Sequence, residues 1–152
     1  MDADLSHDPR YLPALIEAIE NGADIAVGSR YTTNGRIVGW NWYRKLVSGI
    51  GNTLARVVLG LHTRDTTSGF RAYAREAAGV VHVVQSDGYA FQVEALHHAR
   101  RNGLRVVEVP ITFENRIVGK SKLGPGEFVR FVQTIARLRL MPKRGVRGAA
   151  AP

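Results

Sequence analysis

The chain has 152 residues, 45% hydrophobic and 22% charged, so it is long enough to bury a core and too apolar for a disordered tail. It has no cysteine, which excludes disulfides, thiolate metal sites and a cysteine nucleophile together. Its net charge of +8 is concentrated late: residues 1–119 carry thirteen Lys/Arg against twelve Asp/Glu, whereas residues 120–152 carry eight against Glu127 alone. Such a basic segment attracts phosphate, whether on nucleic acid, anionic lipid or a phosphorylated substrate, and the choice among them falls to motifs.

In chain order, Asp8-Pro9 reads as a cap and first-turn proline before a helix over Tyr11–Glu20, which stops at Asn21-Gly22. Ala23–Gly28 is a short apolar run closed by glycine, a strand pattern directly after a helix, and it leaves Ser29-Arg30-Tyr31 at its exposed end. Residues 32–41, with Asn34-Gly35 and Gly39, read as a loop. Over Trp42–Leu61, apolar residues and the cations Arg44, Lys45 and Arg56 alternate at helical spacing, giving one or two amphipathic helices. A strand over Phe70–Ala74, a short helix over Arg75–Val81, a helix over Tyr89–Arg101 and a strand over Leu104–Phe113 follow. Glu114–Gly126, with three glycines, reads as a mobile loop, Glu127–Met141 as an amphipathic helix, and 142–152 as a basic, disordered tail.

No run approaches the ~20 apolar residues of a membrane-spanning helix, and Met1-Asp2-Ala3-Asp4 lacks the basic and apolar regions of a signal peptide. Membrane contact is therefore expected to be peripheral. The histidines, His7, His62, His82, His97 and His98, show no metal-binding spacing and read as surface or packing residues, with His7 notable for lying close to Asp4.

Two carboxylates one residue apart, Asp2 and Asp4, can both reach one hard divalent cation, although such pairs serve equally well as turn or cap residues. What weights the first reading is the ordered series that follows. It comprises Gly28-Ser29-Arg30-Tyr31, Tyr43-Arg44-Lys45-Leu46-Val47-Ser48, Asp65-Thr66-Thr67-Ser68-Gly69-Phe70-Arg71, Phe91-Gln92-Val93-Glu94 and Glu108-Val109-Pro110-Ile111-Thr112-Phe113, then Arg116 with Gly119-Lys120-Ser121-Lys122. In this order, over residues 1–141, the chain resembles the dolichyl- or polyprenyl-phosphate mannose synthases among the family 2 glycosyltransferases.

The resemblance implies an α/β, GT-A-like nucleotide-diphospho-sugar transferase fold, N-terminally truncated, since the strands and helices of the nucleotide pocket normally precede the Asp-x-Asp. It implies Mg²⁺ or Mn²⁺ held by Asp2 and Asp4 against the donor diphosphate, with Ser6 where the family often has glutamine. Arg30, Arg44 and Ser48 match the acceptor-phosphate positions; Arg116 and Lys122 match a lid over the donor diphosphate and, with Asp4, are the expected catalytic residues. Asp65, Ser68, Gly69 and Arg71 match a segment beneath the site, with Gly69 allowing a tight turn and Glu94 placed in the pocket, paired with a cation such as Arg71.

The implied reaction is inverting transfer of mannose from GDP-mannose to polyprenyl phosphate. A glucose- or amino-sugar-using relative, or a non-catalytic fragment that binds membranes or lipid phosphate, is the alternative. Expected partners are the nucleotide sugar, the polyprenyl phosphate, an anionic membrane surface and a separate membrane-anchor protein. A nucleic-acid-binding role would explain only the charge, because no groove-reading or stacking element is legible.

Overall fold

The computed structural model describes residues 7–114 and 125–142. The order of elements is α1 (Leu12–Glu20), β1 (Ile25–Ser29), β2 (Arg36–Val38), α2 (Trp42–Leu59), β3 (Arg71–Tyr73), α3 (Gly79–His82), α4 (Gly88–Arg101), β4 (Val106–Pro110), β5 (Thr112–Glu114) and α5 (Pro125–Leu140). A 3-10 turn over Pro9–Tyr11 leads into α1; the Asp8 carboxylate caps it by accepting from the Arg10 amide.

β1 is the centre of the molecule. It pairs in parallel with β4, Ile25 opposite Val106 through Ser29 opposite Pro110, and antiparallel with β3, Ile25 opposite Tyr73 through Val27 opposite Arg71. The sheet is thus mixed, with a parallel neighbour on one side of β1 and an antiparallel neighbour on the other. Every residue of β1 is buried because helices cover both faces. Strand alternation sends Ile25 and Val27 to one side, into a core with Ala55, Leu59, Val93, Leu96, Phe131, Ile135 and Leu138 from α2, α4 and α5. Ala26 faces the other side, under Leu15 of α1, with Phe70 and Ile111.

The single strand expected over 104–113 is two strands. Pro110 has no N–H to continue the ladder, and β1 ends at Ser29, whose carbonyl accepts the Ile111 amide as the last rung. Beyond it the chain finds a new partner, and β5 pairs in parallel with β2, Arg36 opposite Thr112. The expected loop over 32–41 therefore contains a strand. The 42–61 segment is one helix, α2, begun by the Asn41 side chain accepting from the Arg44 amide and ended by Gly60 in the left-handed region at φ 65°.

Candidate functional site

At the C-terminal end of β1 the chain turns through Ser29-Arg30-Tyr31, and the turn is set by two close approaches. The Asp65 carboxylate takes the Arg30 amide (2.9 Å), its Nε (2.7 Å) and its Nη2 (2.7 Å), a fork-to-fork pair in which Arg30 is 8% exposed and Asp65 fully buried. Gly35 folds back over the same turn so tightly that a Cβ there would lie 2.7 Å from the Ser29 carbonyl oxygen. Burial opposes charge on Arg30, but its bonds to Asp65 outweigh that and raise its affinity for the proton above the ordinary guanidinium value.

This geometry alters the expected role of Arg30. The edge it would use to grip a phosphate bidentately is occupied by Asp65, and Nη2 also donates to Thr67 Oγ1 at 3.0 Å. Among the described residues nothing accepts from Nη1, and the positive charge is largely offset by Asp65. The guanidinium is flanked by the rings of Tyr31, Trp40 and Phe113, 5.3 to 5.6 Å from Cζ.

Asp65 is held in turn from β4. The Glu108 carboxylate caps the loop by accepting from the amides of Arg64 and Asp65, each at 2.9 Å. One residue on, Asn52 of α2 takes both the amide (2.7 Å) and the hydroxyl (2.8 Å) of Thr66 on Oδ1, and its Nδ2 donates to the Ser48 carbonyl at 2.9 Å. Arg71 completes the frame by donating to the carbonyls of Ser68, Thr66 and Gln92, which ties the loop to α4. Burial pushes the Arg71 guanidinium below its ordinary value.

Two sequence expectations are corrected here. Glu94 does not pair with Arg71 and does not line the pocket. It is fully buried beneath α5, where Ser86 donates to it through amide and hydroxyl and Arg137 through Nη2 at 2.8 Å. Burial opposes its ionisation, but these bonds prevail and hold its pKa below the usual carboxylate value. Glu94 fastens α4 to α5: residues 93–97 span more than one helical turn and are all buried, so α4 is covered on every side there and Glu94 falls on the side that α5 covers, whereas Arg71 reaches α4 through the Gln92 carbonyl. Gly69 also differs, for it lies outside the left-handed glycines Gly22, Gly39, Gly60, Gly88 and Gly103. The turn there is made by Ser68, whose hydroxyl accepts from the Phe70 amide at 3.3 Å.

The frame supports a cleft between the first half of α2 and the start of α5. Its polar end is Arg30, Arg44, Ser48 and Thr67; its apolar wall is Val47, Gly51, Phe128 and Phe131, with Trp40, Tyr89 and Glu127 at the margins. Arg44 lies across Trp40, its Cζ 4.0 Å from the ring centroid. The Glu127 carboxylate is engaged by Arg130 at 2.8 Å. Arg30, Arg44 and Ser48, separated in sequence, are thus brought together as expected.

Around α2, about a third of a turn from the cleft, Trp42, Tyr43, Leu46, Ile50 and Val57 form an exposed apolar stripe with Lys45 on its border. No helix among the described residues is long and apolar enough to cross a membrane. His7 is buried, packed between Phe70 and Phe113 at 5.0 and 5.3 Å between ring centroids. Asp2, Asp4, Ser6, Arg116 and Lys122 lie outside the described residues, as does the tail beyond 142. Among the described residues no cluster of three or more His, Cys, Asp or Glu could hold a metal ion.

Asn52 and Trp40 lie outside the sequence motifs, and Tyr31 and Thr67 lie within them without a role of their own. Asn52 carries a signal, being one helical turn beyond Ser48 and thus on its face; Trp40 is joined to the site only by the folding of its loop.

Cationic and polar side chains beside an apolar wall, at the carboxyl end of a central strand in a layered α/β fold, define a class of site that can take a ligand with a charged and an apolar part. Residues 1–81 match the model of glycosyl transferase family 2, and the chain belongs to that family. It is 42% identical, over 96% of its length, to the polyprenol monophosphomannose synthase of Mycolicibacterium smegmatis. It is 41% identical, over 90% of its length, to the undecaprenyl-phosphate mannosyltransferase of Micrococcus luteus. The chain spans 57% of the length of each of these relatives.

Proposed function

We propose that the chain is the acceptor-binding part of a glycosyltransferase that transfers mannose from GDP-mannose to a polyprenyl phosphate with inversion at the anomeric carbon. The observation that carries this reading is the cleft itself: Arg44, Ser48 and the Nη1 edge of Arg30 at one end, Val47, Gly51, Phe128 and Phe131 along the other. A phosphate monoester bearing an isoprenoid tail has those two parts in that order. The names of the two relatives supply the class of acceptor and the sugar.

A phosphate oxygen is already anionic, so attack on the anomeric carbon needs orientation more than deprotonation. Arg44 adds positive charge at the polar end of the cleft, while that of Arg30 is met by Asp65. Arg30, fixed through three bonds to Asp65, offers Nη1 in an invariant direction, and Ser48 adds a neutral donor. The bound lipid tail against Phe128 and Phe131 would exclude water that could otherwise take the sugar.

Asp2 and Asp4, with Ser6, are hard oxygen donors of the kind Mg²⁺ or Mn²⁺ prefers, and this donor chemistry fits such an ion. The ion would screen charge on the departing diphosphate. Arg116 and Lys122 would contribute cations to the same charge. The α2 stripe of Trp42, Tyr43, Leu46, Ile50 and Val57 would rest in the headgroup region of an anionic membrane, with Lys45 toward the phosphates, at the cytoplasmic face and beside a separate anchor protein.

The test is transfer of labelled sugar to undecaprenyl phosphate from GDP-mannose, UDP-glucose and UDP-N-acetylglucosamine in parallel, with sedimentation on phosphatidylglycerol vesicles. Labelled polyprenyl-phosphate mannose supports the reading. Turnover with another donor alone transfers it to a glucose- or amino-sugar-using relative. Vesicle binding without turnover by any donor, when the part of the relatives that this chain does not span is supplied from the Mycolicibacterium smegmatis protein, leaves a lipid-phosphate-binding module and overturns the catalytic part.

A further inference from the structure

Ser48 sits one turn beyond Arg44 on α2, 8% exposed, at the polar end of the cleft. Its hydroxyl lies 2.8 Å from the hydroxyl of Tyr31, the residue that follows Arg30 in the turn at the end of β1. Two hydroxyls at that distance share one proton, and the surroundings decide which one donates. Tyr31 Oη has no other hydrogen-bond partner among the described residues, so donation by Ser48 would leave the phenolic proton unused in a half-buried position. Donation by Tyr31 leaves the Ser48 proton unused instead, and Ser48 alone of the two lines the cleft.

Among the described residues the Ser48 hydroxyl bonds to Tyr31 alone, and not to a carbonyl of its own helix, the usual acceptor for a serine inside a helix. The helix therefore does not claim the proton either. The Arg30 guanidinium lies over the Tyr31 ring, Cζ 5.6 Å from its centroid, and fixes the ring plane. Burial of the phenol raises its pKa above the ordinary tyrosine value, so it remains a donor over the whole neutral range.

We propose that Tyr31 is a positioning residue that holds the Ser48 hydroxyl as a committed donor toward the anion in the cleft, forming a relay from Tyr31 through Ser48 to the ligand phosphate. The inference rests on the reading of the cleft as a lipid-phosphate site. It assigns the discrimination of phosphate from free alcohol partly to a residue that does not touch the ligand. Hydrogen bonds in such a chain polarise one another, so losing the first weakens the second.

Calorimetric titration of the chain with farnesyl phosphate, with farnesol as the control for the apolar wall, tests this. Tyr31→Phe keeps the ring over which Arg30 lies and removes only the hydroxyl. It is expected to weaken farnesyl phosphate binding about threefold to tenfold, to leave farnesol binding within about twofold, and to leave the thermal midpoint unchanged. On a Ser48→Ala background the same substitution is expected to have no further effect beyond about twofold. A full Tyr31→Phe effect on that background, or no effect on the wild-type background while Ser48→Ala weakens binding, overturns the relay and leaves the site. Unchanged binding in both Arg44→Ala and Ser48→Ala overturns the site, and the relay with it.

Discussion

The Arg30–Asp65 pair gives the strongest expectation for stability. Asp65 is fully buried, Arg30 is 8% exposed, and one carboxylate satisfies a backbone amide and two guanidinium donors. In Asp65→Asn one oxygen becomes an NH₂ group, which either faces the guanidinium donor to donor or turns its N–H toward the Arg30 amide, and the arginine charge is left buried without a partner. Removing one member of such a pair costs about 3–5 kcal/mol, a large share of a typical domain's ~5–15 kcal/mol. With a urea slope of about 1–3 kcal/mol/M, the unfolding midpoint is expected to fall by about 1–5 M with the slope unchanged. The loss arises from an orphaned charge, so Arg30→Met on the Asp65→Asn background is expected to recover part of it. A loss below about 1 kcal/mol in Asp65→Asn, or a double variant as unstable as the sum of the singles, would refute the argument that the turn is organised by this pair.

Two further expectations concern backbone and titration. Gly35→Ala forces a Cβ to within 2.7 Å of the Ser29 carbonyl oxygen and 2.8 Å of the Arg30 carbonyl carbon, and backbone cannot move aside as a side chain can, so the variant is expected to lose about 1–3 kcal/mol, read as a thermal midpoint lower by several degrees; an unshifted melt would show that the 32–35 turn is not tightly seated. His97 is buried on α4 with neither ring nitrogen hydrogen-bonded, and desolvation, then Arg101, His98 and Arg100, hold its pKa down at about 4, against a weaker opposing pull from Glu94. Between about pH 6.5 and 4 the unfolded chain therefore binds the extra proton, and stability is lost as pH falls through that window, by about 1–2 kcal/mol after allowing for solvent screening. Urea midpoints at pH 7.5 and 5 are expected to differ less in His97→Leu than in the wild type, and an equal difference in the two would place the pH dependence elsewhere.

The comparison of sequence with fold turns on the range over which each signal acts. Periodicity placed α1, α2, α4, α5 and the central strand within a few residues, because a helix or a buried strand is specified by its own apolar pattern against whatever covers it. The ordered motifs gave the family, and they gave Arg30, Arg44 and Ser48 as neighbours although fourteen positions separate the first pair. Sequence alone could not give the partner of each charge. Asp65 was legible as an anchor, but that it takes the bidentate edge of Arg30 depends on a loop between α2 and β3 being seated by Asn52 and Glu108. Glu94 is expected beside a cation such as Arg71, whereas the fold sets it against Arg137 of α5 and leaves Arg71 to three carbonyls. The split at Pro110–Ile111 likewise follows from where β1 stops, a fact that belongs to another segment. Composition and periodicity thus determined the elements, and the resemblance carried by the ordered motifs gave the family and the kinds of group expected at the site. Tertiary packing decided which charges remain available to a ligand, because that depends on which partners the folded chain has already brought within hydrogen-bond reach.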